Sequence, residues 1–207
     1  AIPLIVFNPS SRRRGHVFGI SVEIPEAFES FAILNSRGQQ VPYQLVDRLD
    51  DRTDLYLFAS DVPSMGYTTY YILPEKAAGI TAQTISASEQ DRTMENDFLR
   101  VAINSNGSLK ITCKVTGQEY DTLGYFEDGG DCGDTYDYSY PREDQIISSL
   151  DQEAEITLVE SGPYLARFRV ELTLSLPAFL TPDRTARSEE TVYYPLVTFV
   201  ELAADSR

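Results

Sequence analysis

The chain has 207 residues, and its 17 Lys and Arg against 32 Asp and Glu give a formal net charge of −15 at pH 7. A hydrophobic fraction of 42% is ordinary for a globular protein and excludes intrinsic disorder over most of the length. Because so negative a surface repels phosphate backbones and anionic headgroups, we expect no nucleic acid and no membrane among its partners.

Short runs of β-branched and aromatic residues, separated by Gly, Pro, Asn and Asp, follow one another along the chain. No stretch keeps a helical period for long, so the pattern predicts an all-β protein. The predicted strands, in chain order, cover residues 4–8, 17–24, 41–46, 53–59, 67–73, 98–103, 109–114, 155–161, 165–175 and 190–202.

Apolar and polar residues alternate between residues 164 and 176, where Val170 and its even-numbered neighbours are apolar while Arg169 represents the polar set. Such alternation is typical of antiparallel sheets packed face to face, so we expect an antiparallel β-sandwich. Asn106-Gly107 between two apolar runs predicts a hairpin, because both residues tolerate positive φ.

The composition becomes small and polar between residues 74 and 94, which predicts a linker or an exposed crossing. We therefore place a domain boundary in this stretch. Residues 1–88 are predicted to form a small β-sandwich, and residues 89–207 the N-terminal part of a larger, supersandwich-like one.

Residues that usually carry chemistry are scarce. The chain has a single histidine, His16, which excludes a His-rich zinc site. It lies in the basic stretch RRRGHVF and is expected to be exposed. Cys113 and Cys132 are expected to be free, half-buried thiols, although one bridge between them is possible by count. The triplet that begins at Asn106 matches a glycosylation acceptor but equally describes a turn.

The acidic loop, residues 126–144, is the most unusual segment of the sequence. Aspartates recur in it at every third position: Asp128, Asp131, Asp134 and Asp137. Calcium is one interpretation, but the ligand spacing of an EF-hand is absent. The carboxylates of a glycosidase, with Glu127 or an Asp as acid or base, are another. A solvated turn stabilised by Asp side chains is the third.

Tyrosines crowd the same region: Tyr120, Tyr125, Tyr136, Tyr138 and Tyr140. A tyrosine offers an apolar ring face and a hydroxyl, which together match the C–H patches and hydroxyl groups of a sugar. This clustering beside Asp and Gly supports a carbohydrate-binding loop and leaves the solvated turn open as the alternative.

Several segments together resemble the C-terminal region of the glycoside hydrolase family 38 α-mannosidases, especially the bacterial branch that includes mannosylglycerate hydrolases. The matching segments are VFNPSS (6–11), VPYQLV (41–46), LYLFASDVPSMGYTTYYI (55–72), ENDFLRVAINSNGSLKITCKVTGQEY (95–120) and DGGDCGDTYDYSYP (128–141). The resemblance covers most of the chain, and its specificity lies in the order and spacing of the segments.

The resemblance implies a parent enzyme that hydrolyses α-mannosides with retention. Its zinc ion and Asp nucleophile would belong to an N-terminal α/β domain that, like the helical bundle after it, lies outside this chain. The chain itself would then contain no catalytic residue, metal ligand or cofactor. A sandwich that stops partway leaves strand edges unpaired, so we also expect self-association.

The stretch GDTYDY resembles the family loop whose tyrosine reaches the mannose pocket, which points to Tyr136 as a substrate-binding residue. Asp134 and Asp137 would hold the loop or contact polar groups of the substrate. An autonomous carbohydrate-binding sandwich is the alternative. A basic cluster that follows the first apolar run, rather than preceding it, does not match a signal peptide, and a cytoplasmic location is expected.

Overall fold

The structure is a computed structural model that describes residues 1–76 and 85–207. The strands of its first part are β1 (Ile2–Asn8), β2 (Arg14–Glu23), β3 (Ala32–Asn35), β4 (Gln40–Val41), β5 (Tyr43–Leu49), β6 (Arg52–Val62) and β7 (Gly66–Leu73). Those of its second part are β8 (Ser86–Ser88), β9 (Thr93–Glu95), β10 (Leu99–Ile103), β11 (Leu109–Cys113), β12 (Glu119–Leu123), β13 (Glu127–Asp128), β14 (Ile147–Ser148), β15 (Glu155–Ser161), β16 (Leu165–Pro177) and β17 (Thr191–Ala203), with a 3-10 turn at Ser149–Asp151 after β14. The all-β prediction is confirmed, and no helix in these ranges is long and apolar enough to cross a membrane.

The first sandwich consists of two antiparallel sheets, with strand orders β1-β7-β3-β4 and β2-β6-β5. Along β6 every second side chain is buried from Thr53 to Ala59, because successive residues of a strand point to opposite faces. Leu55 and Leu57 of β6 meet Ile33 of the opposite sheet in a core where each is no more than 1% exposed.

The second sandwich packs a five-stranded sheet, β12-β11-β10-β9-β8, against a three-stranded sheet, β15-β16-β17. Its core contains Met94 and Val101 from the first sheet and Phe168 and Val170 from the second. The predicted alternation along β16 is confirmed, since its even-numbered residues from 166 to 174 are buried. The two-residue strands β13 and β14 pair with each other beside this sandwich.

The predicted hairpin joins β10 to β11, and Gly107 in its turn adopts a φ of +82°. A Cβ at this position would lie 2.9 Å from a methyl group of Val170, so the turn is also packed against the core. Asn106 accepts from the backbone N–H of Ser108 and donates to the carbonyl of Leu150. These bonds make Asn106 a turn residue, in agreement with that interpretation of the triplet.

Each of the ten predicted strands has a counterpart, with shifted bounds. The predicted strand at 41–46 is interrupted at Pro42, which has no N–H to donate to a ladder. The predicted linker is wrong from residue 85 onwards, because β8 and β9 pair there and Met94 is fully buried. Residues 77–84 of that linker lie outside the described residues, and the boundary after residue 88 stays a prediction.

Polar contacts fasten the two sandwiches to each other. Gln44 of β5 bonds to the backbone that enters β16, at Leu165. Arg167 of β16 donates to the Tyr56 hydroxyl at 2.8 Å. His16, exposed as expected, pairs through Nδ1 with Asp205 at 2.7 Å. The orientation of one sandwich on the other is therefore fixed by side chains from both.

Candidate functional site

The acidic loop leaves the fold between β13 and β14, whose short pairing closes its base. At this base the N–H of Gly130 donates to the carboxylate of Asp144 at 2.9 Å. Pro141, on the returning arm, is fully buried. The loop is thus attached by its own residues at the point where it departs from the sandwich.

Farther out, the loop forms a narrow hairpin of its own. The N–H of Cys132 donates to the carbonyl of Ser139 at 2.6 Å, and the N–H of Asp134 donates to the carbonyl of Asp137 at 3.1 Å. A Cβ on Gly133 would lie 1.8 Å from the Asp137 carbonyl oxygen, so only glycine allows the two arms to approach this closely.

Two aspartates hold this hairpin through their side chains. Asp131 Oδ1 accepts from the N–H of Gly133 at 2.8 Å and from that of Ser139 at 3.1 Å. Asp134 Oδ1 accepts from the N–H of Tyr136 at 2.8 Å and from that of Asp137 at 3.0 Å. In both cases the backbone hydrogen bonds lower the pKa of the carboxyl group. Asp134 therefore holds the backbone at the tip of the loop, and its substrate-binding role stays a prediction.

The predicted sugar-contacting tyrosine lies at that tip. Tyr136 is 92% exposed, and its hydroxyl has no hydrogen-bond partner in residues 1–76 and 85–207. Tyr138 and Tyr140 follow on the returning arm at 67% and 70% exposure. The carboxylate of Asp137, next to Tyr136, is exposed as well. The loop thus presents aromatic rings and a carboxylate to the outside on a backbone that is internally bonded.

Two arginines from the connection between β16 and β17 attach this hairpin to the second sandwich. Arg187, whose side chain is 7% exposed, donates to the carbonyl of Asp128 at 3.0 Å and to its carboxylate. Arg184 Nη2 donates to the carbonyls of Cys132 and Gly133 at 2.6 and 2.9 Å. The sequence alone does not reveal these arginines, because 51 to 59 residues separate them from their partners in the loop and no pattern links the segments.

Other residues that the sequence singled out lie elsewhere. Cys113 and Cys132 are free thiols, each partly buried, as predicted. Tyr120 belongs to β12, and Tyr125 follows that strand, so neither shares the tip with Tyr136. Among the residues that the structure describes, no three His, Cys, Asp or Glu side chains come together as metal ligands.

The chain is similar in sequence to a known protein over part of its length. No protein-family model matches the chain. It is 31% identical over 145 residues, 69% of its length, to a protein of Halalkalibacterium halodurans named "Putative mannosylglycerate hydrolase", of which it covers 15%. The chain therefore spans a small part of the relative that it matches.

Solved structures with the same fold come from Enterococcus faecalis. A protein of glycosyl hydrolase family 38 matches 99% of this chain with a TM-score of 0.87 and 22% identity, over 30% of its own length. An α-mannosidase of strain V583 matches 99% of this chain with a TM-score of 0.83 and 23% identity, over 28% of its own length. The resemblance predicted from the motifs is confirmed: the chain is similar in sequence to part of a putative mannosylglycerate hydrolase, and it has the fold of part of these two Enterococcus faecalis proteins.

Proposed function

We propose that this chain is a non-catalytic portion of a retaining α-mannosidase and that its acidic loop completes the sugar pocket. The observation that carries the proposal is Tyr136, a fully presented ring and hydroxyl at the tip of a hairpin stapled by Asp131 and Asp134. A preorganised loop loses little conformational entropy when it meets a sugar, so its contacts are retained as affinity or turnover.

The residues of the tip have two roles, support of the loop backbone and contact with the sugar. Asp134 is occupied by backbone amides and keeps the tip in shape. Tyr136 offers a hydroxyl for hydrogen bonding and a ring for the apolar face of the sugar. Asp137, exposed beside it, offers a carboxylate that accepts hydrogen bonds from sugar hydroxyls.

A self-sufficient glycosidase in the loop receives no support from this geometry. Such an enzyme needs a carboxylic acid with a raised pKa to protonate the leaving oxygen. Hydrogen bonds lower the pKa of Asp131 and Asp134 instead, and Asp128 is paired with Arg187. We place the zinc ion and the nucleophile in other domains of the parent protein, as the family resemblance implies.

Hydrolysis of a chromogenic α-mannoside, with and without added zinc, tests the proposal in this chain and in the intact gene product. We expect activity in the intact protein alone. There, Tyr136→Phe should reduce kcat/KM by about tenfold, the scale of one lost hydrogen bond of roughly 1.4 kcal/mol. Tyr140→Phe, on the same loop, serves as the matched control. Wild-type kinetics in Tyr136→Phe would remove the site, and activity in this chain would remove the non-catalytic assignment.

An autonomous carbohydrate-binding module is the second candidate, and the three exposed tyrosines on one stapled loop favour it. Calorimetric titration of this chain with methyl α-mannoside separates the two. Binding in the millimolar range or tighter, lost in Tyr136→Phe, would support the module. We expect no measurable heat, because a portion of a pocket retains little of its affinity.

A further inference from the structure

Arg184 lies in the connection between β16 and β17 and contacts the acidic loop just before its tip. We call this part of the loop, formed by Cys132, Gly133 and Ser139, the neck. One nitrogen, Nη2, donates to two successive carbonyls, those of Cys132 at 2.6 Å and Gly133 at 2.9 Å. The neck is closed at the same level, where the N–H of Cys132 donates to the carbonyl of Ser139. The guanidinium therefore holds the outgoing arm of the hairpin just before the tip that carries Tyr136.

The turn around Arg184 is built to present this side chain. Asp183 accepts from the Thr181 hydroxyl at 2.7 Å and from the N–H of Thr185 at 3.2 Å. The N–H of Arg184 donates to the carbonyl of Thr181 at 2.8 Å. Arg184 itself has a φ of +58°, a left-handed conformation that costs free energy for a residue with a Cβ. Such a conformation persists only where its surroundings impose it, and these hydrogen bonds supply that constraint.

The charge of Arg184 suits its place as well. Asp131, whose carboxylate holds the neck, has a lowered pKa chiefly because of the Gly133 and Ser139 amides, and Arg184 adds to that effect. The guanidinium of Arg184 thus lies against two backbone carbonyls of the neck and near the carboxylate of Asp131. A neutral side chain of similar size would not supply the charge.

We propose that Arg184 is a positioning residue, which sets the direction of Tyr136 by fixing the neck of the loop. The effect of Arg184 on turnover rests on the proposed role of Tyr136 at the sugar. The effect of Arg184 on the structure of the neck does not depend on that role. Displacement of a positioned group by about 1 Å is enough to reduce a rate strongly. Arg184 is therefore expected to act through Tyr136 and to contact no substrate.

The neck is tested first, in this chain, by amide hydrogen exchange in Arg184→Ala. Alanine keeps a Cβ at the left-handed position, so backbone strain is matched. We expect exchange at Cys132 and Ser139 to become about tenfold faster, the scale of one hydrogen bond to a charged group, with unfolding by urea unchanged. Arg142→Ala is the control, because Arg142 forms no hydrogen bond or ion pair with the part of the chain that the structure describes. Unchanged exchange in Arg184→Ala would overturn the inference.

The link to Tyr136 is tested by a double-mutant cycle in the intact gene product. Arg184→Ala should lower kcat/KM for the α-mannoside by about tenfold alone and by little when Tyr136→Phe is already present. Arg184→Lys should recover part of the loss. Equal losses in both backgrounds would show that Arg184 does not act through Tyr136. Faster exchange together with wild-type kinetics in Tyr136→Phe would instead refute the sugar role and leave the neck contact standing.

Discussion

The side-chain amide of Gln44 forms two hydrogen bonds with the backbone of Leu165, in the way that two paired β-strand residues do. Gln44 Oε1 accepts from the N–H of Leu165 at 2.9 Å, and Gln44 Nε2 donates to the Leu165 carbonyl at 3.1 Å. The same oxygen accepts from the N–H of Tyr164 at 3.0 Å. Gln44 is only 5% exposed, and a Cβ on Gly162 would overlap its amide. One buried side chain thus satisfies the backbone of the turn that leads into β16.

Gln44→Ala should therefore destabilise the chain severely for a single polar substitution. Two buried N–H groups, those of Tyr164 and Leu165, would lose their partner, and the Leu165 carbonyl would keep only the hydrogen bond from the N–H of Gly162. We expect the free energy of unfolding to fall by about 3 kcal/mol. Urea denaturation measures it, with the exposed Gln118→Ala as control. A loss below about 1 kcal/mol would show that water replaces the amide.

Glu160, also at this junction, should make stability depend on pH. Its side chain is 12% exposed, and burial raises its pKa, opposed by the Gln44 hydrogen bond and the charge of Arg167, while Glu201 raises it further. Because the folded state holds the proton more tightly than the unfolded state, this group's contribution to stability is lost as pH rises above about 4.5, its ordinary value.

The test is the stability of Glu160→Gln, measured by urea unfolding at intervals from pH 4.5 to 7.5. The amide can still accept from Gln44 and cannot ionise. We expect the stability of the variant relative to the wild type to increase as pH rises from about 4.5 to the raised pKa of Glu160, and to stay at that level above it. Parallel pH profiles for the two proteins would show that Glu160 is not the group responsible.

Substitution of two turn glycines should separate packing from backbone strain. Gly107 and Gly117 have similar left-handed φ values of +82° and +71°. A Cβ on Gly107 would press on Val170 at 2.9 Å, whereas a Cβ on Gly117 would meet nothing within 4 Å. We expect Gly117→Ala to cost about 1 kcal/mol from strain and Gly107→Ala about 1–3 kcal/mol more from overpacking. Equal costs in thermal or urea unfolding would mean that the β10–β11 turn shifts away from the core.

Self-association of the chain stays a prediction, and β17 is where we expect it. This 13-residue strand pairs only with β16 among the described strands, and Tyr193 and Phe199 on it are 83% and 57% exposed. Long apolar edges invite pairing with another copy, and a lysine on such an edge opposes it. Val197→Lys should keep the fold, since residue 197 lies opposite Glu171.

Sedimentation at tens of micromolar measures the outcome. The wild type should form dimers or larger species that Val197→Lys dissociates. Val115→Lys is the control, because Val115 is 75% exposed in a turn and belongs to no strand edge. A monomeric wild type would remove the prediction. Dimers that survive in Val197→Lys would place the contact on another surface, such as the ring pair of Phe7 and Tyr67.

Local patterns in the sequence were sufficient for the ten main strands and for the hairpin at Asn106-Gly107, since alternation and turn chemistry act between near neighbours. They were insufficient for β12, whose five residues are all exposed and show no alternation of burial. The short strands β8 and β9 were missed for a related reason, because their residues are mostly small or polar. Met94 of β9 is the exception, and it is fully buried.

The candidate site divides in the same way. The aspartate and tyrosine content of residues 126–144 identified the loop, and the Asp-to-amide bonds are of a kind that turn chemistry anticipates. The attachment by Arg184 and Arg187 could not be predicted, because it depends on where the end of the β16–β17 hairpin comes to lie. Contacts between distant segments follow from the completed topology, which no local pattern contains.

The strands of that hairpin each contain 13 residues and run for roughly 40 Å. One end of β16, at Leu165, is fastened to the first sandwich by Gln44. The other end leads into the turn from which Arg184 reaches the acidic loop. A continuous ladder of paired residues, from Leu165 opposite Ala203 to Pro177 opposite Thr191, thus joins the contact made by Gln44 to the turn that carries Arg184.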